Sequence, residues 1–184
     1  MISLIVQGRL GNQMFQYSFL RGLQEKGFDR EINMDFSSVY KTNKPNEGWE
    51  NSLKYFNVKT FKETTNYGLS FSQKVSNKII NHLEKNKHST RMEEHIADLK
   101  YIDFLNKQGI LKLTMGYYDF KKVNKENYLA MGYFESDKYF NFIRNQLLEE
   151  FTPKYDKLLK NKKLYNIIEN NNSVCISIRR RGFC

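Results

Sequence analysis

Cysteine is almost missing from this chain: Cys175 and Cys184 are the two present, both close to the C-terminus. That placement argues against a disulfide framework and fits a reducing compartment, and neither cysteine sits in a metal-ligand pattern. Histidine is scarce as well. His82, His88 and His95 do not have metal-site spacing, and none has a paired Ser, Cys or Asp that would suggest nucleophilic catalysis. His95 stands apart, next to Glu93 and Glu94. Long apolar runs are also lacking. No stretch approaches the length of a membrane span, and the short run at residues 2–6 has no basic region before it, so it is not a signal peptide. These absences lead to the expectation of a cytoplasmic protein that holds no metal.

Acidic residues are outnumbered, 20 against 30 Lys and Arg, which leaves a net charge of +10. Such a surplus attracts nucleic acid, an anionic membrane face or a phosphorylated donor. It also follows from a composition rich in Lys and Asn throughout. The lysines are scattered, which favours the second reading and leaves no nucleic-acid partner expected. The exception is Lys154, Lys157, Lys160, Lys162 and Lys163, a candidate for peripheral contact with a membrane surface. A chain of 184 residues, 40% hydrophobic and 15% aromatic, has enough apolar material for one domain with a small appendage.

The chain is organised around its start. Ile2, Leu4, Ile5 and Val6 read as a strand buried on both faces. The loop Gly8-Arg9-Leu10-Gly11-Asn12 follows, with two glycines that permit positive φ and close backbone approach to a ligand. Asn12 is a good helix N-cap, and Phe15, Phe19, Leu20 and Leu23 continue at helical spacing to a stop at Gly27. Residues 31–35 read as a second strand, so the segment is a βαβ unit opening an α/β domain. A helix N-terminus behind a glycine loop binds anions or hydroxyls, which places Arg9, Asn12 and Gln13 at the lip of a cleft. A tight turn with a capped helix accounts for the same spacing.

Downstream, residues 37–51, with Pro45, Gly48 and the single Trp49, read as a loop in which Trp49 either anchors the loop on the core or faces a sugar. Residues 72–87 read as a helix carrying Val75, Ile79, Ile80 and Leu83. Strands are expected at residues 110–115, ending at Gly116, and at 128–131, closed by Gly132. Ser136 can cap a helix running through Phe140, Ile143, Leu147 and Leu148 to about Phe151. Tyr133 and Phe134 before that cap either stack on a pyranose face or form the strand-to-helix hinge of the core. Pro153 opens a further amphipathic helix to about Asn170, and residues 173–178 read as a strand that emerges into Arg179, Arg180 and Arg181.

Three stretches carry a family resemblance. Gly8-Arg9-Leu10-Gly11-Asn12-Gln13-Met14-Phe15-Gln16-Tyr17 resembles the N-terminal signature of glycosyltransferase family 11, the α-1,2-fucosyltransferases. Gly132-Tyr133-Phe134-Glu135-Ser136-Asp137-Lys138-Tyr139-Phe140 is similar to the family's second signature, with Glu135 in place of the commoner Gln. Arg179 and Arg180 match the arginines of the family's His-x-Arg-Arg-x-Asp, while Ser177 stands where His is usual and the acid is missing. Guanidinium groups at a strand end bind a nucleotide's phosphates bidentately and stabilise the departing diphosphate.

The resemblance implies a GT-B architecture of two facing Rossmann-like domains, the acceptor mainly on the first and the sugar nucleotide mainly on the second. On that basis residues 1–151 form the complete acceptor-side domain, and residues 152–184 form the connecting helix and first strand of a truncated donor-binding domain. The implied reaction is transfer of L-fucose from GDP-fucose, a donor substrate and not a cofactor, to a galactoside 2-hydroxyl, with inversion and without metal. The acceptor is a surface glycan or its lipid-linked precursor, as in lipopolysaccharide synthesis. The implied donor residues are Ser177, Arg179 and Arg180; the implied acceptor or cleft residues are Gly8, Arg9, Gly11, Asn12, Gln13, Tyr133 and Phe134. One base inserted in the purine tract of a family-like Ile-Arg-Arg-Gly-Asp-Phe-Val produces the ending Arg181-Gly182-Phe183-Cys184, as divergence also could. This 184-residue form is accordingly expected to be inactive. A non-catalytic glycan-binding or interaction domain and a basic nucleic-acid-binding module are the alternatives.

Overall fold

The computed structural model describes residues 1–29, 31–42, 49–84, 90–155 and 159–174. They belong to two compact units, Met1–Thr152 and Pro153–Cys184. The first is an α/β unit built on a four-stranded parallel sheet in the order β2-β1-β4-β3. Its strands are β1 (Ile2–Ile5), β2 (Ile32–Asp35), β3 (Ile110–Leu113) and β4 (Tyr128–Gly132). Ile2 pairs with Ile32 on one side and Tyr128 on the other, and Ile110 pairs with Leu129.

Alternation along the strands separates the two faces. Ile2, Leu4, Met34, Leu111, Leu113 and Ala130 share one core with Tyr17, Phe19, Leu20 and Leu23 of α1 (Leu10–Glu25). On the opposite face Ile110 and Met131 meet Ile80 of α3 (Phe71–Glu84) and Leu105 of α4 (Arg91–Lys107). Ser3 and Asn33, both fully buried, lie on this second face, and Asn33 Nδ2 donates to Ser3 Oγ at 3.2 Å. Burying polar side chains is tolerable because they bond each other and Thr64.

Several expectations from the sequence are corrected. Helix α1 begins at Leu10 with Arg9 as its N-cap, not at Asn12. Gly8 already turns the chain at φ 77°, so helical hydrogen bonding starts at once, with Gln13 N donating to Arg9 O at 3.1 Å. The loop expected over 37–51 opens with a short helix, α2 (Ser37–Lys41), whose first free N–H, that of Ser37, is met by Asp35 Oδ1 at 2.8 Å. Helix α3 turns Gln73, Ser76 and Ile80 inward and leaves Val75 and Ile79 exposed. The side chain of Leu83 lies outside the described residues.

The helix expected from Ser136 is broken into two 3₁₀ turns, Asp137–Tyr139 and Asn141–Ile143, before α5 (Arg144–Glu150). The turns carry Tyr139 and Ile143 into the core. In the second unit, residues 156–158 lie outside the described residues. A 3₁₀ turn, Leu159–Asn161, leads into α6 (Lys162–Glu169). Ser173 and Val174 belong to no strand, and the rest of the strand expected over 173–178 lies outside the described residues.

Candidate functional site

In parallel α/β sheets ligands bind outside the carboxyl ends of the strands. The sheet brings the first two sequence signatures together at that edge, because one leaves β1 and the other leaves its neighbour β4. Gly8 has no room for a side chain: a Cβ there would lie 2.2 Å from Asn12 Nδ2. Asn12 is half-buried, and among the described residues its amide forms no hydrogen bond to the protein. Gly11 falls in the first turn of α1, exposed, with open space where a Cβ would be. It therefore serves neither a positive φ nor a close approach.

The glutamines of the first signature face inward, which removes Gln13 from the lip. Gln13 is fully buried. Its Nε2 donates to Gly8 O (3.1 Å) and Glu50 O (2.8 Å), and its Oε1 accepts from Ser52 N (2.9 Å). Gln16 bridges the two strand exits: its Oε1 accepts from Gln7 N at 3.2 Å and its Nε2 donates to Gly132 O at 3.0 Å. Tyr17 OH donates to Glu150 Oε2 at 2.5 Å and accepts from Lys59 N at 2.9 Å. Burial first, then the Glu150 carboxylate, push the Tyr17 phenol well above its usual range. Buried Arg21 completes the group, 3.1 Å from Glu150.

At the exit of β4, Gly132 adopts φ 148°, and a Cβ there would fall 2.0 Å from Leu113 O. Phe134 holds a left-handed φ of 54°, unusual for an aromatic residue. Its ring stacks on Phe19 with centroids 3.8 Å apart and planes 4° apart, and it is 1% exposed. Of the two roles open to it from the sequence, Phe134 takes the hinge of the core; its ring does not face a cleft. Tyr133 is half-buried, with the Arg91 guanidinium 4.7 Å from its ring centroid. Arg91 in turn pairs with Glu135 at 2.8 Å.

Trp49 packs against the main core while presenting its ring to Arg9, whose guanidinium lies 5.8 Å from the centroid. The side chains left at the two strand exits, together termed the lip, are Arg9, Asn12 and Trp49 at β1, and Tyr133, Arg91 and Glu135 at β4. Planar amide, guanidinium and carboxylate groups beside aromatic rings can donate to and accept from a polyhydroxylated ligand while stacking on its apolar faces. Arg91 and Gln16 were not singled out in the sequence. A signal for Arg91 existed, since Thr90 and Glu93 form a capping box that starts α4 beside β3. On α4, His95 Nδ1 is buried without a hydrogen-bond partner among the described residues.

The edge continues at β2. Asp35 lines a cleft of about 330 Å³ with Tyr40 and Glu63 and accepts a hydrogen bond from Tyr67 OH. Burial raises the affinity of its carboxylate for a proton, but the bonds from Tyr67 and Ser37 outweigh burial and hold it below the usual range.

Ser177, Arg179 and Arg180 lie outside the described residues. Among the described residues no group of three or more His, Cys, Asp or Glu is placed to hold a metal ion, and no helix is long and apolar enough to cross a membrane. No protein-family model matches the chain, and neither a curated protein nor a solved structure matches it.

Proposed function

We propose that Met1–Thr152 is the acceptor-side, Rossmann-like domain of a GT-B glycosyltransferase of the α-1,2-fucosyltransferase type. The observation that supports this reading is the meeting of residues 8–17 and 132–140 at the C-terminal edge of a parallel sheet, joined by Gln16 between Gln7 N and Gly132 O. Two stretches alike in one family, 115 residues apart at their nearest ends (132 less 17), act on one site only if the fold unites them. In this reading Arg9, Asn12 and Tyr133 contact a galactoside acceptor. Ser177, Arg179 and Arg180 would hold the diphosphate of GDP-fucose, and the reaction would invert the anomeric centre without metal. Binding energy produces turnover only when the reacting groups are held in place, and misplacement by about 1 Å costs on the order of a hundredfold in rate. The 184-residue form is proposed to bind acceptor without transferring fucose.

The test is an amide NMR titration of the 184-residue protein with a β-galactoside, followed by a transfer assay with GDP-fucose. The expected result is shifts confined to residues 8–12, 49 and 132–135, abolished by Arg9→Ala with Asn12→Ala, and no transfer. Galactoside binding that leaves those amides unmoved would remove the acceptor assignment. Measurable transfer would refute the inactivity while supporting the reaction class, and transfer from a different sugar nucleotide in preference would defeat the donor assignment.

A further inference from the structure

On the sheet face away from α1, a cavity of about 500 Å³ opens between residues 65–69 and α3. That volume is within the ordinary range of small-molecule sites. Ile5 and Leu129 contribute sheet residues to its lining, and Lys74, Asn77, Lys78 and Asn81 line it from α3. Among the described residues no carboxylate lines it, and neither lysine has an ion-pair partner. Lys74 and Lys78 are one helical turn apart, a spacing at which like charges repel, so an anion between them removes an existing strain as well as adding attraction.

Hydrogen bonds hold several of the lining groups. Asn81 Nδ2 donates to Asn77 Oδ1 at 3.3 Å, which leaves the Asn77 amide N–H groups and the Asn81 carbonyl for a ligand. The facing wall is held by Asn66 Oδ1, which accepts from Gly68 N at 3.2 Å, and by the Tyr67 hydroxyl, which bonds Asp35. Both walls are tied to one residue: Asn127 Nδ2 donates to Gly68 O at 2.8 Å, and Asn127 O accepts from Gln73 Nε2 at 2.7 Å. A cavity whose opposite sides share an anchor does not have to be ordered by its ligand, so less ordering opposes binding.

We propose that this cavity binds a sugar bearing a phosphate or a carboxylate. The two ammonium groups take the anion, the asparagine pair takes hydroxyls as donor and acceptor, and the C–H face of the ring lies toward Ile5 and Leu129. This site is separate from the β1–β4 lip and does not rest on the transferase reading. It is tested by amide NMR titration of the 184-residue protein with galactose 1-phosphate and with galacturonic acid, beside neutral galactose and inorganic phosphate. At least one anionic sugar is expected to shift amides in 65–69 and 74–81, and which of them does so identifies the anion. Loss of two charge-assisted bonds in Lys74→Gln/Lys78→Gln should weaken that binding by about tenfold or more. Lys100→Gln/Lys122→Gln, which lowers net charge equally at exposed positions outside the cavity, should leave it unchanged. Equal binding of neutral galactose, equal binding of inorganic phosphate, shifts confined to other residues, or indifference to the α3 substitutions would each overturn the proposal.

Discussion

Asp35 shows how a single buried carboxylate couples this fold to pH. It is 4% exposed, accepts from Ser37 N and is bonded by the Tyr67 hydroxyl. Its folded pKa lies below the ordinary value of 3.8. A carboxyl group whose pKa is depressed by folding adds stability above its unfolded pKa, and that stability is lost as pH falls through the folded value. Tyr67→Phe removes one of the bonds that favour the charged form. The substitution should therefore destabilise the protein at about pH 7 and by progressively less as pH falls through the folded pKa, below which Asp35 is protonated in both states. Urea midpoints for both proteins across that range measure it. A deficit independent of pH would show that Tyr67 acts by packing alone. None of this was legible in the sequence, where Asp35 reads as the end of a strand and Tyr67, 32 residues away, falls in none of the elements read there.

Among the elements, α1 does most to organise the site. Its inward amides attach separate pieces of chain: Gln13 holds the backbone at Glu50 and Ser52, and Gln16 holds the exits of β1 and β4. Gln13→Ala leaves the buried Ser52 N–H without its partner, a loss that costs about 1–3 kcal/mol. Its expected signature is local, with faster hydrogen exchange at Ser52 and loss of the Arg9–Trp49 contact, while β1 to β4 stay protected. Exchange that accelerates equally across the sheet would refute the local role. The elements themselves were unequally legible. Strands β1, β3 and β4 are short apolar runs stopped by glycine or polar residues, and their period survives in the sequence. Helix α4 went unread because it is apolar on two sides: Ile102 and Leu105 face the core, while Met92, Ile96 and Leu99 face solvent. That pattern erases the single-face periodicity on which helix recognition depends.

For the whole molecule, the net charge is +10, and basic residues lie beside exposed apolar ones in more than one element. In the second unit, Leu159 is 89% and Ile167 59% exposed, close in sequence to Lys160, Lys162 and Lys163. We propose peripheral contact of this basic, amphipathic segment with an anionic membrane surface, in keeping with a lipid-linked acceptor. Vesicles containing phosphatidylglycerol should sediment the protein, and phosphatidylcholine vesicles should not. Lysine near an anionic surface contributes about 1 kcal/mol, so Lys160→Gln/Lys162→Gln should weaken binding by on the order of thirtyfold. Binding to both vesicle types alike, or no response to the substitutions, would reject the contact.

The sequence by itself determined the class of fold and the location of its first βαβ unit, because apolar periodicity and glycine placement are local properties of the chain. It also marked both stretches that reach the candidate site. Only the tertiary structure decided what each marked residue does. Gln13 and Phe134 carry the same chemistry in the sequence whether they face a ligand or the core. Their direction depends on where β1, β4 and α1 meet, and that packing turned Gln13 onto Ser52 and Phe134 onto Phe19. Arg91 reached Tyr133 by the same route, from a helix 42 residues earlier by number. Which side chains remain for a ligand is a property of the packed sheet edge, since only after the core has taken its share are Arg9, Asn12 and Tyr133 left at the lip.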